Sequence, residues 1–433
     1  MLNCATASRL LLGLAAVVMA ACSRPPVSPT PLVTIPPGVT PAPTLEPTPT
    51  ETALTLRVWM PESLSPDGSG DGARVLAGLL SEFDARHPDA RLRVSTKKDT
   101  GPGGLLDLLR AASPVAPDAL PDAILLSDAD LAIAAREGLI QPLDDLLSTD
   151  GEAVAFSFAR TATQIDGKRM GLPLVVDFVH LAYRPERLDA PPADWTGIIS
   201  ETLSFPFAFS DGPHVSDAVL ADYTQLGGTI IDAEGQPALS LDALTQLLIL
   251  YRDARDAGVI AVSSVDWSGP DTAWDIFQAS DAPVTVARAS RFLAARAQGA
   301  DLGYARAPSI SQRPTPSIGR SWNLAVITHD PRHQALAVEL LEHLIRDENL
   351  AEWTQAEHVL PATAAALALW RASDGYAAFA LSELSRAVPP PSPAALEAIS
   401  PPFLDAIRDV LIGRSTPQAA AQAAIDAVAR GEE

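Results

Sequence analysis

The sequence predicts an α/β protein built on a doubly wound sheet, and three features point there. Short apolar strands alternate with amphipathic helices from residue 53 onward. One strand, Asp122-Ala123-Ile124-Leu125-Leu126, is apolar after its first residue, the pattern of a strand covered on both faces. The body carrying these elements is about 380 residues long, enough for two domains and a sizeable core.

The elements follow in order. Leu54 to Trp59 alternates apolar and polar residues and reads as a strand. After a Gly/Asp/Ser-rich loop, Val75, Leu76, Leu79, Leu80 and Phe83 recur at helical spacing over Ala73 to His87, and Pro88 stops the helix. Arg91 to Val94 is the second strand, Gly104 to Ala112 a helix, Asp122 to Leu126 the third strand, and Ala129 to Glu137 the next helix. Asp166-Gly167 is a hairpin turn, because Gly tolerates positive φ, and Gly171 to Val176 returns as a strand. A second α/β region holds a strand at Phe205 to Phe209, helices at Asp217 to Leu226 and Leu241 to Ala257, and a strand at Pro283 to Ala287. Trp322 to Ile327 is a further strand, and Asp330-Pro331 starts a helix, Asp as cap and Pro in the first turn. The remainder is Ala-rich and helical to about residue 430, with breaks expected at Pro389-Pro390-Pro391 and Pro401-Pro402.

The N-terminus reads as an export signal. Arg9 precedes the apolar run Leu10 to Met19, which is too short to span a bilayer comfortably. Ala20 and Ala21 then lead into Cys22, a pattern that resembles the lipobox of bacterial lipoproteins. That resemblance implies cleavage after residue 21 and a lipid on the Cys22 thiol. Residues 22–52 are mostly Pro, Thr and small apolar residues, unable to order themselves by burial, and extended they reach roughly 80 Å. The expectation is a folded body held off a membrane surface by a lipid and a stalk. Cys4 and Cys22 are the only cysteines, so the body is held by its core and not by disulfides. The net charge of −22 argues against nucleic acid as a partner and against docking on anionic lipid.

Four stretches of the body, in this order, resemble extracellular solute-binding proteins of family 1, the class of the maltose-binding proteins that feed ABC importers. They are Phe83-Asp84-Ala85-Arg86-His87-Pro88 with Arg91 to Val94; Pro121 to Leu126 with Glu137-Gly138-Leu139-Ile140-Gln141-Pro142-Leu143-Asp144; Asp166 to Pro173 leading to Asp177 and Tyr183; and Gly319 to Val326 with the helix from Ala335 and His358-Val359-Leu360-Pro361-Ala362. The resemblance implies a periplasmic-binding-protein-like α/β fold of the class II type, two lobes joined by a hinge around a central ligand cleft. It places lobe 1 at 53–176 plus 308–346 and lobe 2 at 177–307 plus 347–433. It further implies a monomer without cofactor or metal, whose partners are a small solute and the transmembrane subunits of an ABC permease.

A sugar presents flat C–H faces and a belt of hydroxyls, so its site needs aromatic platforms and planar polar groups at strand ends. Trp59 ends the first strand, Asp128 follows the third, and Asp177 follows the Leu172-Pro173 strand. Arg288 ends the Pro283 strand, and Trp322 and Asn323 open the strand after Gly319. These six are the candidate ligand-binding residues; Asp128 equally suits a helix cap and Trp59 a core position. Trp195 reads as structural. With 5% aromatic residues the chain has few platforms for a long glycan.

Two other functions are alternatives. A binding protein without transport, such as a sensor subunit or a relative whose pocket has decayed, shares the fold and the anchor. An anchored hydrolase lacks support: there is no Gly-x-Ser-x-Gly elbow, no His-Glu-x-x-His pair and no cysteine in the body. Asp67 to Gly72 resembles a calcium loop only without the terminal Glu that such loops supply.

Overall fold

The computed structural model describes residues 53–147, 155–310, 316–370 and 375–431. The signal segment, Cys22 and the stalk lie outside them. The chain opens with β1 (Leu54–Pro61), α1 (Asp71–Arg86), β2 (Ala90–Lys97), α2 (Leu105–Ala112), β3 (Ala123–Ser127) and α3 (Asp128–Arg136). β1 pairs in parallel with β2 and β3, as βαβ units require. The apolar faces decide the layering. Leu56, Val58 and Leu125 pack with Leu76 and Phe83 of α1, while Ile124 and Leu126 face Leu105 and Leu109 of α2 and Leu131 of α3.

α4 (Ser157–Thr163) precedes the tight hairpin of β4 (Gln164–Ile165) and β5 (Lys168–Arg169), whose turn holds Asp166 at φ 50° and Gly167 at φ 76°. β6 (Leu172–Tyr183) then runs twice as far as its sequence signal. Its first part pairs with β11 (Gly319–Val326) and β12 (Leu360–Pro361). Its second part, from Val179, pairs with β9 (Val284–Arg288) and β10 (Gly303–Ala305). One strand therefore belongs to both halves of an eight-stranded sheet, ordered β10-β6-β11-β3-β1-β2 with β9 and β12 also paired to β6 off that path. β11 runs antiparallel to both β3 and β6, so the sheet is mixed.

The second half carries α5 (Trp195–Ser200), the hairpin β7 (Ser210–Asp211) and β8 (His214–Val215), α6 (Asp217–Gln225), α7 (Leu241–Asp256), α8 (Pro270–Ala279) and α9 (Ala289–Ala297). α10 (Pro331–Leu344), α11 (Asp347–Glu357), α12 (Ala364–Ala368), α13 (Tyr376–Leu384), α14 (Pro393–Leu411) and α15 (Pro417–Arg430) follow β11. Asp330 caps α10 as expected, accepting from the backbone N–H of Arg332 and His333. The core of this half joins Trp195, Phe207, Leu244 and Tyr251 to Phe403 and Ile407 of α14.

Three expectations change. Phe205 to Phe209 is buried but forms no strand. Pro206 has no N–H for a ladder, and its carbonyl accepts instead from the Thr285 hydroxyl at 2.8 Å. α14 runs through Pro401 and Pro402 without stopping. Ile399, Phe403 and Ile407 on one face are fully buried, and that burial outweighs the hydrogen bonds the two prolines remove. The segment after residue 346, expected with the second lobe, splits. Leu350, Ala351, Trp353 and Ala366 pack with Leu76 and Phe83 in the first half, whereas Leu360, Ala362, Leu367 and the chain from α13 onward pack elsewhere.

Candidate functional site

A cluster of charged groups lies where β6 pairs with β11. Arg320 and Asp177 are directly opposed in that antiparallel pair. Arg320 donates from Nε and Nη2 to the two oxygens of Asp217, at 3.0 and 2.6 Å, and from Nη1 to Asp128 at 3.4 Å. Asp128 opens α3 and Asp217 opens α6, where the peptide dipoles favour a carboxylate. Both are nearly buried, at 5% and 6% side-chain exposure. Asp128 also accepts from the backbone N–H of Ser321 at 3.1 Å, which ties it to β11. Burial pushes the Asp128 carboxyl up, and Arg320 pulls it back only in part. Burial disfavours the charge on Arg320, but Asp217 and Asp128 outweigh it and its pKa is raised.

A second set lies beside the first. Asp177 accepts from the Ser290 hydroxyl at 2.5 Å and from the Ser290 and Phe178 backbone N–H groups. Its surface is only half-buried, yet the protein packed around it outweighs these donors and raises its pKa. Arg288 pairs with Asp211, and Arg291 makes a two-point pair with Asp271 at 2.9 and 2.7 Å. Burial opposes the charge on Arg288, and Asp211, Asp177, Asp217 and Asp271 together raise its pKa against it. A cavity of about 200 Å³ opens beside Asp128, between α3, α4 and the Pro389 to Pro393 segment. Two larger concavities, of about 380 and 530 Å³, share no lining residue with the ion cluster.

Residues 79–379 match the family model for bacterial extracellular solute-binding protein. The chain belongs to that family. No curated protein matches it in sequence. Solved structures share its fold, which is that of the maltose-binding proteins. Cyclic alpha-maltosyl-1,6-maltose binding protein from Arthrobacter globiformis gives a TM-score of 0.71 at 17% identity, covering 87% of this chain and 98% of that one. Maltose-binding periplasmic protein MalE from Listeria monocytogenes, in complex with maltose, gives 0.70 at 15%, covering 87% and 97%. The GacH receptor of Streptomyces glaucescens, solved unliganded and with acarbose, gives 0.68 at 19%, covering 88% and 98%.

In this solute-binding protein three of the six expected residues, Asp128, Asp177 and Arg288, meet in one cluster. Trp322 is half-buried on the same alternating face of β11 as Arg320, two residues along. Trp59 is two strands away on β1, half-buried, with the Lys97 ammonium 5.7 Å from its ring centre. Asn323 does not reach the site. It is fully buried on the other face of β11, its amide donating to the carbonyls of Leu126 and Ser321. Strand alternation forces this, because neighbours on a strand point to opposite faces. Trp195 is structural as expected: it is buried, and its indole N–H donates to Asp222 at 3.1 Å.

Arg320, Asp217, Asp211 and Ser290 escaped sequence reasoning. For Arg320 the signal was present, since Gly319-Arg320-Ser321-Trp322 puts Arg320 and Trp322 on one face by period two. For Asp217 none was, because its role depends on where α6 packs. Family relatives are binding proteins, and the cluster offers planar donors and acceptors of the kind that hold hydroxyls; Arg320 and Asp128 are each oriented by more than one partner.

Proposed function

We propose that this chain is the extracytoplasmic substrate-binding lipoprotein of an ABC importer, and that it captures a small carbohydrate between its two lobes. The Arg320–Asp217–Asp128 group carries the reading. It sets a guanidinium and two carboxylates from separate elements at the junction of the two halves, with Trp322 on the same strand face. The fold neighbours solved in complex with maltose and acarbose support a glycan as first choice. β6, shared by both halves, supplies the hinge. Solute entering the cleft favours the closed form because only there do both lobes touch it. The permease then reads the closed shape. The lipid on Cys22 and the Pro/Thr-rich stalk keep the body within reach of that partner.

The test is a thermal-shift screen of the chain against sugars, polyols, amino acids and polyamines. A bound solute stabilises by mass action, by about 2.7 kcal/mol at a hundredfold excess over Kd. Trp322→Ala is expected to abolish the shift produced by the best sugar. If no solute raises the melting temperature, or Trp322→Ala leaves the shift unchanged, the reading fails.

A further inference from the structure

We propose that Arg320 is a latch that holds the two halves together when no solute is bound. The proposal rests on reading the junction as the solute cleft, and it adds a regulation of that cleft. Arg320 leaves β11, whose Leu324 and Val326 pack in the first half against Leu56 and Leu341. One of its partners, Asp128, opens α3, which is packed in the same half through Leu131. The other, Asp217, opens α6, whose Val219, Leu220 and Tyr223 are core residues of the second half. The guanidinium therefore joins the two cores directly.

The other ion pairs of the cluster do not span in this way. Arg288 and Asp211 both sit among elements of the second half, as do Arg291 and Asp271. The Ser290–Asp177 hydrogen bond also crosses, but without a charge on Ser290. Among the described arginines of the cluster, only Arg320 has a carboxylate partner on each side. The contact is built for strength: it is bidentate toward Asp217, and both carboxylates are almost withdrawn from water. Asp128 is itself fixed by the Ser321 N–H, so the first-half end of the latch is rigid. Moving the halves apart pulls Asp217 away from the guanidinium and lets water in between. A closed population maintained in this way raises apparent solute affinity, because less of the binding energy goes into closing the lobes. It also makes closure sensitive to salt, which screens charges once water reaches them.

The test is small-angle X-ray scattering of the full chain without solute, in low salt and in about 1 M salt, where the screening length falls to about 3 Å. Wild type is compared with Asp217→Asn and Arg320→Met. The N-terminal segment is common to all three, so differences in the radius of gyration report on the body. Wild type is expected to be compact in low salt and to expand in high salt. Both variants are expected to be expanded already in low salt and to change little with salt. Asp217→Asn keeps the Arg320–Asp128 contact and carries the test if Arg320→Met loses its native circular dichroism. Curves that superimpose for wild type and Asp217→Asn at both salts overturn the latch. That failure leaves the solute reading standing, since it is judged by the thermal-shift screen. A latch signal beside a solute screen without hits would remove the solute reading and keep the latch.

Discussion

Asp222 offers a sharp quantitative test of the second-half core. It sits on α6 at 5% exposure, and one of its oxygens accepts from the Trp195 indole N–H and from the Tyr251 hydroxyl, both at 3.1 Å. Burial pushes its pKa up to about 8, against the pull of those two donors. The folded protein thus holds this proton to about pH 8, while the unfolded chain releases it near pH 4. Between those values the unfolded state binds fewer protons, so stability falls as pH rises. Each pH unit in that window is worth about 1.4 kcal/mol, or roughly 4 kcal/mol from pH 5 to pH 8. Asp222→Asn keeps the shape and the accepting oxygen and has no proton to lose. Urea unfolding of both proteins across that range isolates the effect, because every other titration cancels in the difference. Wild type is expected to lose roughly 4 kcal/mol relative to the variant between pH 5 and pH 8. Parallel profiles would refute the assignment of a buried, protonated carboxyl at this position.

Two further predictions follow from single positions. Pro401→Ala restores an N–H within α14 at an exposed site, and it is expected to raise the urea midpoint by the equivalent of about 2 kcal/mol, the recovered helix propensity less the entropy that Pro removes from the unfolded chain. A midpoint that falls would mean that the backbone geometry Pro401 imposes is needed for α14 to reach its packing partners. Cys22→Ser is expected to release the protein in soluble form from cells, read by fractionation, if the lipid is its attachment; tight membrane retention of that variant would rule the lipid out as sole anchor.

What could be read in the sequence was local periodicity. β1, α1 and α7 carry unmixed period-two or helical apolar patterns and β3 a continuous apolar run, and each formed within two residues of its expected bounds. The features that escaped depend on what a segment packs against. Phe205 to Phe209 has strand composition, but no neighbour aligns to pair with it, and Pro206 removes a donor. Pro401 and Pro402 are helix breakers by intrinsic preference and are overridden by Ile399, Phe403 and Ile407. The same holds in the site. Asp128 and Arg288 sit at strand ends, which gather at one edge, so position along the chain pointed to them. Asp177 lies mid-strand, because β6 runs on past the end its sequence pattern suggests. Asp217 and Ser290 arrive from helices whose docking no local pattern encodes. Asn323 was misplaced because adjacency to Trp322 counted for more than the alternation that sends it to the opposite face.

Charge narrows the proposed solute further. Every arginine of the cluster already has carboxylate partners: Arg320 has Asp217 and Asp128, Arg288 has Asp211, and Arg291 has Asp271. The first turns of α3, α6 and α8, which attract anions, are occupied by Asp128, Asp217 and Asp271 of the chain itself. An anionic solute would have to displace one of these carboxylates from its arginine and then sit among the others, in a chain of net charge −22. A neutral polyol faces neither obstacle, because hydroxyls add to an ion pair as donors and acceptors without separating it. Under the proposed role, neutral sugars are therefore expected to raise the melting temperature more than the matching uronic acids at pH 7, in low salt, where like-charge repulsion is least screened. A larger shift with the uronic acid would mean that a guanidinium is released from its carboxylate on binding, and the self-neutralised picture of the cluster would be wrong.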